Sequence, residues 1–177
     1  MLRCVVTGQQ SDGKSVFVAD GIRTSLDLAL MPPETQFLRL WGADSTPALP
    51  TDGTQPEMPT FFPPAGGYRF VFFTLAPRSS RLGPIDDMET AMAQMEAALP
   101  EMGKWMEPDT PGMHTTDTVD LDIVLEGEVW LELDDGEEVR LTAGDCVIQN
   151  GTRHAWHNRT EAPVRMFAAL IGATREA

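Results

Sequence analysis

His114, Asp120 and His154 are the side chains best suited to chemistry: two imidazoles that titrate near neutral pH and a short carboxylate. In an extended strand His114, Thr116, Thr118, Asp120, Asp122 and Val124 share one parity and project to one face. His154 and Trp156 share a parity that excludes His157, which makes His154 the inward candidate of its stretch and Trp156 a candidate aromatic wall beside it. The histidines lie forty positions apart, so only a sheet that folds back on itself would bring them together. Where they meet, Asp120 can orient and charge an imidazole for general acid–base work. Each residue also has a bland reading. His114 would be a loop histidine after Gly112, His154 a histidine satisfied by the surrounding wall, and Asp120 a surface carboxylate at a strand end. A second inward carboxylate at Asp122 is costly unless a cation or an arginine neutralises it; the alternative is a twist or bulge that carries it to solvent. His157 and Asp117, on the opposite parity, are read as outer-face residues.

The elements that would position these groups follow from periodicity. Residues 113–171 alternate apolar and polar side chains in short runs, with turns marked by Gly127, Gly136 and Ala143-Gly144-Asp145. Strands are expected near 119–125, 128–133, 137–142, 145–149, 153–158 and 163–171. Such even spacing predicts an all-β barrel or a two-sheet jelly roll. Val129, Leu131 and Leu133 should fill it, Cys146 should be a buried apolar filler, and Trp130 should point outward as an interface residue. Ahead of this unit, residues 2–7 and 15–18 flank Asp12-Gly13 as a hairpin or two edge strands, and 37–41 and 68–75 read as further strands. Residues 43–67 hold six prolines and three glycines, which predicts an irregular arm; Phe61-Phe62 within it needs burial against the body or a second subunit. Met88, Met92, Met95 and Leu99 recur at helical spacing and predict one helix over 86–99, capped by Asp86 with Glu89 reaching back, and stopped by Pro100. Its methionine stripe is expected in the core rather than as a pliable lid. The chain is read as one structural domain: 1–83 as N-terminal strands and arm packing on the barrel, 84–104 around the helix, and 105–177 as the barrel core.

Composition narrows the function classes. Of the net charge of −14, residues 101–145 carry −12, with 14 acidic residues against Lys104 and Arg140. That sign repels phosphate backbones, and no basic stripe with interleaved aromatics appears, so neither nucleic acid nor an anionic membrane is an expected partner. Cys4 and Cys146 are far apart and lack metal-ligand spacing, and no apolar run is long enough to span a bilayer. A cytoplasmic location is expected.

Two stretches resemble the motifs of the cupin superfamily of small β-barrels. The first motif of that family, HxH, three or four residues, E, six residues, G, is matched by His114-x-Thr116, three residues, Asp120, six residues, Gly127. The second, G, five residues, PxG, two residues, H, three residues, N, is matched by Gly144, four residues, Gln149-x-Gly151, two residues, His154, three residues, Asn158. The resemblance covers about residues 112–171 and implies a cupin-type jelly-roll barrel. Cupins typically hold a divalent metal through three histidines and a glutamate. Here Thr116 replaces one histidine and Asp120 the glutamate, so the resemblance implies a reduced metal set of His114, Asp120 and His154, for iron, zinc or manganese. It implies a metal-dependent enzyme on a small keto or carboxylic acid or an aromatic, of oxygenase, isomerase, decarboxylase or dehydratase type. The alternative is a non-catalytic small-molecule-binding or sensing cupin with a degenerate metal site. Thr116, Asp122 and Trp156 are the expected substrate-pocket residues, and a homodimer is the expected assembly.

Overall fold

A computed structural model describes residues 1–26 and 28–176. Among them the chain forms ten strands and one α-helix: β1 (Leu2–Gln9), β2 (Ser15–Arg23), β3 (Gln36–Ala43), β4 (Tyr68–Leu75), α1 (Met88–Ala98), β5 (Thr118–Glu126), β6 (Glu128–Glu132), β7 (Glu138–Thr142), β8 (Cys146–Asn150), β9 (Ala155–His157) and β10 (Val164–Gly172). A five-stranded sheet in the order β3-β4-β10-β5-β8 faces a three-stranded sheet in the order β7-β6-β9, all antiparallel. This is the expected jelly roll. The core lies between the sheets, where Val71, Phe73, Val124, Met166 and Ala168 of the larger sheet meet Val129 of the smaller. Two strands of the larger sheet, β3 and β4, come from the N-terminal half.

Alternation explains most of this. On β10, Val164, Met166, Ala168 and Leu170 face inward, and on β6, Val129 and Leu131 do so. Leu133 does not join them, because β6 ends at Glu132 and Leu133 enters the turn at Asp134–Gly136, where it is exposed. Cys146 is likewise exposed, a correction to its reading as a filler: it stands opposite Ile123 on the outer face of the edge strand β8.

The helix starts one residue later than expected. Asp87, not Asp86, is the N-cap, accepting from the Thr90 N–H at 3.0 Å and from the Thr90 hydroxyl at 2.6 Å. The methionine stripe is also corrected. Met88 and Met92 are exposed, and the helix rests on Ala91 and Ala98, with Met95 partly buried between them. Both stripes have helical spacing, and small alanines allow the closer approach to the body.

The proline-rich arm is fastened by two arginines. Arg69, fully buried, donates to the Ala43 and Tyr68 carbonyls at 2.9 Å and pairs with Asp44, while Arg39 donates to the Thr60 carbonyl at 3.0 Å. Thus tethered, Phe61 and Phe62 are buried against the body of the same chain. The β1–β2 hairpin is attached more lightly. It leans on the arm, where Gln9 donates to the Thr51 carbonyl at 2.8 Å and a Cβ at Gly8 would sit 2.1 Å from the Asp52 carbonyl oxygen.

Candidate functional site

The two histidines meet through the backbone. His114 and His154 form an isolated antiparallel bridge, each N–H donating to the other's carbonyl at 2.9 Å. Residues paired in this way send their side chains to the same side of the ladder, and the ring centroids lie 4.2 Å apart. In each ring, Nδ1 donates to a carbonyl two residues back, Gly112 for His114 and Thr152 for His154, both at 2.9 Å. A carbonyl can only accept, so Nδ1 carries the proton and Nε2 keeps its lone pair. Burial and then the neighbouring His114 push His154 down to about 4; burial lowers His114 as well. Both imidazoles are therefore neutral at pH 7.

β5 brings the carboxylates to the same cavity. Thr118, Asp120, Asp122 and Val124 face inward, while Val119, Leu121 and Leu125 are exposed. No register shift interrupts the pairing of Asp120 with Gln149 or of Asp122 with Val147, so Asp122 is not carried out to solvent. Burial pushes Asp120 up to about 6, against a Thr118 hydroxyl that favours the charged form. Asp122 is pushed up to about 8, by burial first and then by the charge of Asp120. No lysine or arginine lines the cavity among the described residues. Asp120 Oδ1 is buried without a hydrogen-bond partner.

The cavity measures about 190 Å³ and contains His114, Asp120, Asp122, His154 and Trp156. Thr116 is buried but does not line it, because its hydroxyl is turned to the Thr118 hydroxyl at 2.8 Å. Asn158 binds the turn instead, donating to the Ala76 and Ala162 carbonyls at 2.9 and 2.7 Å. The remaining wall is apolar, with Phe37, Phe61, Phe62, Phe73, Met102 and Met106 prominent. Sequence reasoning did not find this wall. Only the need of Phe61-Phe62 for burial pointed to it, and the methionines it uses lie outside the helical stripe.

Donor chemistry fits a divalent ion: two Nε2 lone pairs and an unpartnered carboxylate oxygen in a cavity without a cationic side chain. Spacing is looser. Among the described residues, the trio with ligand atoms within 4.8 Å of one another is Glu132, Glu138 and His157, on the outer face of the smaller sheet. His114, Asp120 and His154 are not among the groups so close, and bonds of about 2 Å to one ion would require these side chains to draw together. The outer trio is already paired, since His157 Nε2 donates to Glu132 at 2.6 Å and Glu138 holds Arg159. Asp117, also outward, pairs with Arg175 at 2.6 Å.

Residues 106–170 match the family model described as the Cupin domain. That segment is a cupin domain. Phomopsin biosynthesis cluster protein D of Diaporthe leptostromiformis is 48% identical over 65 residues, 37% of this chain and 33% of that protein. The cupin-domain-containing oxidoreductase virC of Hypocrea virens is 40% identical over 62 residues, 33% of this chain and 32% of that protein. The chain thus aligns with about a third of the length of these curated relatives. A Cupin 2 conserved barrel domain protein from Salinispora arenicola covers 88% of this chain and 91% of its own at 19% identity, with a TM-score of 0.42.

Proposed function

We propose that this cupin is a metal-dependent enzyme acting on a small, largely apolar organic molecule, with His114, Asp120 and His154 holding iron, zinc or manganese. The reading rests on the histidine pair, whose Nδ1 atoms are tied to carbonyls and whose Nε2 atoms share a cavity with the unpartnered Asp120 oxygen. A divalent ion there would supply polarisation of a substrate oxygen or activation of water or dioxygen. The protein's own groups do the rest. Neutral imidazoles need no deprotonation to ligate, and Asp122, protonated at neutral pH until a cation lowers it, is a hydrogen-bond donor to a substrate oxygen. Phe61 and Phe62 exclude water. At about 190 Å³ the cavity exceeds the roughly 150 Å³ that accepts benzene, which suits a single aromatic ring or a short keto or carboxylic acid. The relative named an oxidoreductase is consistent with redox chemistry.

Protein purified without an affinity tag and assayed for bound metal is expected to hold near one equivalent of a transition metal, and His154→Ala to lose it. Less than about a tenth of an equivalent, unrestored by added iron, zinc or manganese, would refute the reading. One arrangement favours the second reading, a non-catalytic binder: Thr116 stands where cupins carry a second histidine and turns away from the cavity. Under that reading His114→Ala and His154→Ala weaken ligand binding, and no turnover exists to abolish.

A further inference from the structure

Two carboxyl groups share the cavity, and the histidine site uses only one of them. Asp120 and Asp122 are 5% and 4% exposed, and their places two residues apart on β5 set both on one inner face, roughly 7 Å apart along the strand. An ion at the histidine pair accounts for Asp120. It leaves Asp122 without a counter-charge of its own, which is costly for a buried carboxylate. Arg69 faces inward on the same sheet, in the row that runs from Asp120 through Leu170, yet it does not line the cavity. It is committed to the Ala43 and Tyr68 carbonyls and to Asp44. Among the described residues no lysine or arginine lines the cavity, so neutralisation has to come from what enters it.

The walls beside Asp122 suit an organic cation. Its register partner on β10 is Ala168, with Val71 next on β4, so a small and a short side chain stand beside the carboxyl group. The next inward row is aromatic. Phe73 and Phe37 are paired there and stacked with ring centroids 5.7 Å apart, and Phe61 meets Phe37 edge-on at the same distance. Trp156, on β9 of the facing sheet, joins these rings in lining the cavity. Ring faces carry the negative end of the aromatic quadrupole and attract a cation that has shed its water. Asp120 Oδ1, buried without a partner, adds another acceptor. An anion entering here would meet like charge on every side, whereas an ammonium ion meets its complement.

We propose that the molecule this cavity takes is a small aromatic primary amine, bound as its ammonium ion with the nitrogen on Asp122 and the ring among Phe37, Phe61, Phe73 and Trp156. The inference rests on the reading of this cavity as the substrate site, and it narrows that reading: amines are taken and carboxylic acids are refused. Asp122 sets the preference and is the specificity-determining residue. Each carboxylate then has its own cation, the ion at the histidines for Asp120 and the ammonium for Asp122. The volume agrees, since about 190 Å³ exceeds the roughly 150 Å³ that accepts benzene by enough for a short aminoalkyl group.

Three probes of one shape separate charge from fit: benzylamine, a cation at pH 7; benzyl alcohol, which is neutral; and benzoate, an anion. Calorimetric titration of the full chain, as purified and again in chelator, is expected to give the same order in both. Benzylamine should bind at least about tenfold more tightly than benzyl alcohol, the worth of one charge-assisted hydrogen bond, and benzoate should show no saturation. Asp122→Asn should cut the advantage of the amine to less than about threefold, with benzyl alcohol still binding as evidence that the variant is folded. The series on the unaltered protein decides even where the variant does not fold. Any other order, saturable benzoate binding, no binding by any of the three, or an undiminished amine preference in Asp122→Asn would overturn the proposal. Metal content of the same samples keeps it apart from the metal reading. A protein without metal that holds the order refutes the metal and supports the amine, and a metal-bearing protein that takes up benzoate does the reverse.

Discussion

At the scale of single residues, the cavity holds groups whose titrations pull stability in opposite directions. His154, lowered to about 4, contributes stability that is present above its unfolded value near 6.5 and lost as pH falls toward 4. Asp122, raised to about 8, contributes stability that is present below its unfolded value near 3.9 and lost as pH rises through 8. Between pH 6.5 and 8.5 only the second loss continues, so metal-free protein should become less stable over that window. Thermal unfolding in chelator is expected to show the melting temperature falling by a few degrees, and Asp122→Asn should flatten the curve. A wild-type melting temperature that is level across the window would show that Asp122 is not an unpaired buried carboxyl. Added divalent metal should reverse the trend, because ligands deprotonate as the ion binds.

At the scale of elements, β5 decides the site. Its alternation is unambiguous in the sequence, but the apolar parity is Val119, Leu121, Ile123 and Leu125, and the usual rule of apolar side chains inward would have turned Asp120 and Asp122 out to water. The motif spacing around His114 and His154 indicated the opposite orientation, and the structure has the carboxylates inside. The arm is the second deciding element. Arg69→Leu would leave the Ala43, Tyr68 and Thr60 carbonyls without their shared donor and Asp44 without its partner. A loss of about 2–4 kcal/mol is expected from denaturant unfolding, together with faster proteolysis within residues 44–60. Unchanged stability and unchanged cleavage would mean that the arm is held by Phe61 and Phe62 alone.

At the scale of the whole molecule, the acidity and the apolar outer face of the five-stranded sheet work against each other. Salt screens the repulsion between two chains of −14, with a Debye length shrinking from about 10 Å at 0.1 M to about 3 Å at 1 M. Any self-association through the outer face of the five-stranded sheet, whose one carboxylate is Glu126 paired with Arg165, should therefore strengthen with ionic strength. Sedimentation between 0.05 and 0.5 M salt is the measurement, and a dimer that weakens as salt rises would point to ion pairs at the contact instead of aliphatic side chains. Trp130, the residue that suggested an interface in the sequence, is covered by two arginines of its own chain. The surface that does lack a cover is made of residues that read as ordinary strand formers.

The sequence alone determined the strand pattern, the helix to within a residue or two at each end, and the short list of groups able to do chemistry, because spacing and parity are local properties. Which parity faced the cavity, which methionines lined it and which arginines held the arm were decided by closure of the sheets. Those choices depend on pairings between residues as distant as His114 and His154 or Thr60 and Arg69, and no local period records them.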